Sequence, residues 1–145
     1  MATMIPNDIK TFTTPGEGAF YRFLQSSARP DDRHSSWYLP DVQDREPDFI
    51  LYSEDVGLVI FEVKDWAIDQ IIEANPYRFH LFMNGREEKL HNPFQQARSY
   101  LNLTLDKIRK DGYLLSKVSH AYGNVKVPIN CSVVFPNINK FEYTQ

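Results

Sequence analysis

Cysteine is nearly absent from this 145-residue chain, where Cys131 stands alone. One thiol excludes an intramolecular disulfide framework and a cysteine-based zinc cluster, and it suits a reducing compartment. Its place in the apolar run 129–135 reads as a small buried hydrophobe rather than a nucleophile. No apolar run is long enough to cross a membrane, and the first residues lack the charged-then-apolar order of a signal peptide. A soluble, cytoplasmic protein is expected. Also missing are internal repeats, low-complexity tracts, a glycine-rich phosphate loop and helicase motifs.

What the chain does have is material for a packed interior. Hydrophobic residues make up 42% and aromatics 14%, which argues against disorder. The length fits one domain over 1–145, with 1–12 expected as a loosely held leader. Net charge is −3 but unevenly spread: residues 1–85 hold 7 Lys and Arg against 14 Asp and Glu, while 86–126 hold 8 against 4. The basic part offers Arg86, Lys89, Arg98, Lys107, Arg109, Lys110, Lys117 and Lys126 as a phosphate-binding face. A solvated helix surface explains any one of them equally well.

The chain is organised around Glu46-Pro47-Asp48-Phe49-Ile50-Leu51-Tyr52 and Gly57-Leu58-Val59-Ile60-Phe61-Glu62-Val63-Lys64-Asp65-Trp66. Between them lies a polar turn ending in glycine, so the pair reads as a β-hairpin. Residues two apart on a strand share a face, so Glu62 and Lys64 point the same way. The partner strand brings Asp48 beside Glu62. Two carboxylates and an ammonium thus converge at the rim of an apolar sheet. Paired carboxylates suit Mg²⁺ or Mn²⁺, with positions left for water and a phosphate. A lysine beside them orients the attacking water and stabilises developing charge. A bare Glu-x-Lys more often marks a strand meeting solvent; Pro47-Asp48 one hairpin upstream shifts the balance.

Around the hairpin, Thr13-Thr14-Pro15 starts a helix that runs to about Ser27, with Phe20, Phe23 and Leu24 inward. Glu17 either complements the helix dipole or reaches the site. Residues 26–36 read as a polar loop with His34 exposed, Trp37-Tyr38-Leu39 as a first or edge strand, and 41–46 as a solvated loop. Trp66 covers the site or finishes the core. Residues 68–90 read as a small β-excursion turning at Asn84-Gly85, with Arg78 and His80 on its polar outer face. Pro93 opens the longest helix, to about Lys110, with Phe94, Ala97, Leu101, Leu105 and Ile108 as the stripe toward the sheet. Gln96 and Tyr100 lie side by side along its edge. A short helix is expected over 113–122, and 129–135 reads as a core strand beside the central sheet.

Pro47-Asp48, thirteen residues, then Glu62-Val63-Lys64 resembles the PD-(D/E)xK nuclease superfamily. More narrowly, the stretch from about Gly16 to Phe135 resembles the nuclease-related domain, NERD. Its further landmarks are Gly16-Glu17-Gly18, Asn92-Pro93-Phe94-Gln95-Gln96 and Val133-Val134-Phe135-Pro136. Gln96-Ala97-Arg98-Ser99-Tyr100 is similar to the Gln-x-x-x-Tyr signature of RecB-like nucleases.

The resemblance implies an α/β fold, a restriction-endonuclease-like mixed central β-sheet flanked by helices, and metal-dependent hydrolysis of DNA. Asp48 and Glu62, joined by the Val63 carbonyl, would ligate Mg²⁺ or Mn²⁺, and Lys64 would position the water. Glu17 and Gln96 would take part from the second tier. Tyr100 is expected to contact DNA, as are Arg98 and Lys107. The resemblance also implies a helicase or ATPase partner, covalently joined or separate, and further chain beyond the last strand; it leaves a dimer open. Two other readings compete: a nuclease-fold module that binds nucleic acid or a partner but cuts poorly, and a phosphohydrolase acting on a smaller substrate, which ranks last.

Overall fold

The computed structural model describes residues 3–6, 9, 11–27, 34–40, 47–54, 56–110 and 128–139. In chain order they form β1 (Thr3–Ile5), α1 (Pro15–Ser27), β2 (His34–Tyr38), β3 (Phe49–Ser53), β4 (Gly57–Val63), β5 (Ile71–Ala74), β6 (Arg78–Met83), β7 (Arg86–His91), α2 (Pro93–Arg109) and β8 (Ile129–Val134). The expected hairpin is β3–β4, antiparallel with Phe49 opposite Phe61 and Ser53 opposite Gly57. The central sheet has the order β1-β2-β3-β4-β8; β1 and β8 lie parallel to their neighbours and the inner pairs are antiparallel. A mixed sheet flanked by helices is therefore what the chain builds.

Alternation along the hairpin decides the layers. Phe49 and Val63 face α1, where they pack with Met4, Phe20, Tyr21 and Leu24; Phe61 lies against the same cluster. Ile50 and Ile60 face α2 and pack with Tyr100, Leu101 and Leu103. A third cluster, Trp66 with Phe79 and Leu81, seats the smaller β5-β6-β7 sheet. That sheet is the expected excursion. Its β6–β7 turn at Asn84 and Gly85 has positive φ at both residues (54° and 77°), the geometry of a tight two-residue hairpin. Phe94 at the start of α2 lies 6.3 Å from Phe135, just past β8. The N-terminal turn of α2 therefore sits at the carboxyl end of β8. Parallel pairing of Glu62 with Val133 puts the end of β4 at that same rim.

Several expectations need correction. Residues 3–5 are not a loose leader: β1 pairs with β2, and Met4 is buried in the core. The strand expected at 37–39 begins at His34 and has β1 outside it. His34 is half-buried on that strand, with its Nε2 3.2 Å from the Ser53 hydroxyl. On α2 the buried side is Pro93, Ala97, Tyr100 and Thr104, so the helix is rotated from the expected stripe and Phe94 is left 49% exposed. The Thr104 hydroxyl donates to the Tyr100 carbonyl at 2.8 Å, which removes the cost of burying it. The helix expected over 113–122 and the loop 41–46 lie outside the described residues, as do Lys117 and Lys126. No helix among the described residues is long and apolar enough to cross a membrane.

Candidate active site

Pro47 is fully buried just before β3, and the Leu39 amide donates to the Asp48 carbonyl at 2.9 Å. These contacts fix where Asp48 starts. Its carboxylate reaches across the hairpin, and Oδ2 accepts the Val63 N–H at 2.8 Å. Extending the Phe49–Phe61 register by one step puts Asp48 opposite Glu62 on the face that α2 covers. Glu62 is buried, at 3% exposure, because β8 covers its strand on the other side. Lys64 Nζ lies 3.3 Å from Glu62 Oε1 and 5.7 Å from the centre of the Trp66 ring. The Lys64 amide donates to the Val134 carbonyl at 2.9 Å, which holds this residue on the sheet past the last strand position. Of the two readings of Trp66, the structure shows the core residue, and its ring also lies against the Lys64 ammonium.

Glu17 joins from α1. The sequence Thr14-Pro15-Gly16-Glu17 folds as a reciprocal helix cap, with the Glu17 carboxylate accepting the Thr14 N–H at 2.8 Å and the Thr14 hydroxyl accepting the Glu17 N–H at 3.2 Å. The Tyr38 hydroxyl also donates to Glu17 Oε2, at 3.3 Å. Glu17 is buried at 4% exposure, close enough to Asp48 for its carboxyl to help raise the Asp48 pKa. Its helix role and its site role are one arrangement.

Three acidic side chains thus share one small, poorly hydrated space with one ammonium. Burial, then the Glu62 charge, push the Asp48 carboxyl up to about 8; Glu17 adds to the rise and the Val63 N–H opposes it. Burial also raises Glu62, against the pull of Lys64. Glu62 Oε2 is buried and accepts no hydrogen bond among the described residues. The cluster is short of positive charge and has an oxygen to spare.

Other predicted site residues fall elsewhere. Gln96 is half-buried one turn before Tyr100 on the covering helix, and its Nε2 donates to the Tyr100 hydroxyl at 3.3 Å. Tyr100 is buried against Ile50 and Ile60, so it serves the core rather than an exposed DNA contact. Its ring fits between the sheet and α2, where burial of a large aromatic outweighs exposure. Arg98 and Lys107 are both exposed, but nine residues of helix turn them half a revolution apart, so they do not form one face. The Val63 amide engages the site by donating to Asp48.

Sequence reasoning missed Asp65 and Tyr38. Asp65 Oδ2 accepts the Gly16 N–H at 2.9 Å, tying the start of α1 to the end of β4. A methyl group on Gly16 would overlap that carboxylate, so a larger residue there would push the Asp65 side chain off this bond. Nothing local signals a bond across 49 residues, although Thr14-x-x-Glu17 was readable as a capping box.

The family profile described as the nuclease-related domain, NERD, matches residues 13–136, which takes in Glu17, Asp48, Glu62, Lys64 and Gln96. Neither curated proteins nor solved structures give a match. A profile covering most of the chain, over a mixed sheet of the nuclease type, places this protein in the nuclease-related domain family.

Proposed function

We propose that the chain is a metal-dependent nuclease that hydrolyses phosphodiester bonds of DNA, with Asp48, Glu62 and Lys64 at its centre. The observation that carries the reading is the charge deficit: two adjacent buried carboxyls are held above their usual range, and Glu62 Oε2 has no partner. A divalent cation meets both needs, and hard carboxylate oxygens suit Mg²⁺ or Mn²⁺. Among the described residues no group of three or more His, Cys, Asp or Glu is arranged to hold a metal alone. Asp48 and Glu62 would therefore hold the ion with water and phosphate as its other ligands, the habit of Mg²⁺ at phosphoryl sites.

When bound, the ion supplies charge neutralisation at the phosphoryl group and lowers the pKa of a nearby water. The protein residues do the rest. Lys64 spends one donor on Glu62 and keeps others for the attacking water or a phosphate oxygen. Packing of Trp66 in the core restricts where that ammonium can go. Glu17, fixed by its cap, adds negative charge beside Asp48 that favours a cation. Gln96 stands on the helix covering this face and offers a carboxamide for substrate.

The test is cleavage of supercoiled plasmid, linear duplex and single-stranded circle with Mg²⁺, Mn²⁺ or EDTA, alongside Lys64→Ala. Metal-dependent nicking or shortening that vanishes in the variant is expected. Equal silence of both proteins, with no Mn²⁺ binding by calorimetry, would leave a nuclease-fold binding module instead.

A further inference from the structure

Beside the acidic cluster's covering helix lies a cavity of about 410 Å³, lined by His91 at the end of β7 and by Gln95, Gln96 and Ser99 on α2. Its size falls within the range of small-molecule sites, roughly 300–1,000 Å³. The side chains named there carry no fixed charge of the guanidinium or ammonium type. A phosphate would call for Arg, Lys or several free backbone N–H groups. Two carboxamides, an imidazole and a hydroxyl instead offer mixed donors and acceptors, the chemistry that reads the edge of a nucleobase.

The rim has the fixed charge that the described lining lacks. Arg78 is opposite His91 in the β6–β7 register, so the two side chains share a face of the small sheet. Arg78 is exposed and forms no ion pair among the described residues, whereas His80 and Arg86 of the same sheet are engaged by Glu87 and Glu88. The turn carrying Arg78 is firmly built. Asn75 Oδ1 accepts both the Tyr77 and Arg78 amides, and Asn92 at the head of α2 donates to the carbonyls of Asn75 and Tyr77. This network ties the turn before β6 to the head of α2, next in sequence to His91 and Gln95 of the cavity lining. Tyr77, 73% exposed, is held out from the same turn with no core to serve.

We propose that this cavity receives one unpaired base of a DNA strand, with His91 and Gln95 bonding its edge beside Gln96 and Ser99, and Arg78 taking a flanking phosphate. The inference rests on the reading that the substrate is DNA, and it adds that the strand is engaged with at least one base unstacked. Extruding a base costs least when it is already unpaired. Single-stranded DNA is accordingly the favoured partner at this position.

The experiment measures binding in EDTA, without turnover, by fluorescence anisotropy of labelled 12-mers. The probes are a single strand, a strand of the same length made of abasic units, and a blunt duplex; a nucleoside 5′-monophosphate serves as competitor. The wild type is expected to bind the single strand about tenfold more tightly than the abasic strand, the worth of one good base contact. His91→Ala with Gln95→Ala should erase that preference and leave abasic binding and the melting temperature unchanged. Arg78→Ala should weaken both strands alike. Equal wild-type affinity for base-bearing and abasic strands would overturn the inference, as would a double variant that keeps the preference, or a mononucleotide that competes as well as the strand. Base-dependent binding without any cleavage would sink the hydrolytic reading alone, and metal-dependent cleavage without base dependence would sink only this one.

Discussion

Thr14 and Glu17 cap each other, and the carboxylate that closes this cap is also one that helps raise the Asp48 pKa. Two substitutions separate the roles. Thr14→Ala removes the cap hydroxyl and should cost about 1 kcal/mol of stability while leaving the acidic cluster in place. Glu17→Gln keeps an oxygen for the Thr14 amide but removes the charge. It should fold normally and bind Mn²⁺ more weakly, read by thermal melts and calorimetry. Unchanged Mn²⁺ affinity in Glu17→Gln would confine Glu17 to helix closure.

Lys64 lies at the rim with its side chain 24% exposed and belongs to none of the three core clusters, so Lys64→Ala removes a charged pair rather than a core contact. Cleavage should fall by at least about a hundredfold, the scale of losing one preorganised donor, with the melting temperature within a degree or two of wild type. A collapse of folding in this variant would mean that the Glu62 pair is structural first.

Stability without metal should fall as pH rises. Asp48 has a folded pKa of about 8 against its ordinary 3.8, so the native state holds its proton more tightly than the unfolded chain. That advantage is fully present below pH 3.8 and is lost as pH climbs to about 8. Melting in EDTA should therefore drop between pH 5 and pH 9. Asp48→Asn, which still offers an oxygen to the Val63 N–H, should flatten the profile and be the more stable protein at pH 9. A wild-type profile that is flat or rises with pH would contradict the charge deficit.

Divalent cation should reverse that loss. At pH 8, Mn²⁺ at a hundred times its dissociation constant adds about 2.7 kcal/mol to the folded state, visible as a higher melting temperature. Asp48→Ala or Glu62→Gln should abolish the gain. A gain that survives both would place the ion elsewhere.

The hairpin and its three charged residues were legible because a strand's two-residue period is local: Glu62 and Lys64 had to share a face, and a short turn had to bring Asp48 across. The β-excursion and the bounds of α2 were equally plain from Asn84-Gly85 and Pro93. What escaped depended on partners distant in sequence. Three residues at the N-terminus have no strand signal until β2 offers a parallel edge. Tyr100 read as lying along the edge of the apolar stripe, yet its ring packs in the core against Ile50 and Ile60. Asp65 reads as one more polar residue after Glu-x-Lys until α1 docks against it.

The Val63 and Lys64 amides are neighbours that answer to different masters. The first donates to the Asp48 side chain, the second to the Val134 backbone of the adjoining strand. Deuterium uptake at Lys64 therefore tracks separation of β8 from the sheet, while uptake at Val63 tracks whether Asp48 keeps its grip. Two consecutive peaks in one exchange spectrum thus distinguish a change at the acidic cluster from a change in the fold that carries it.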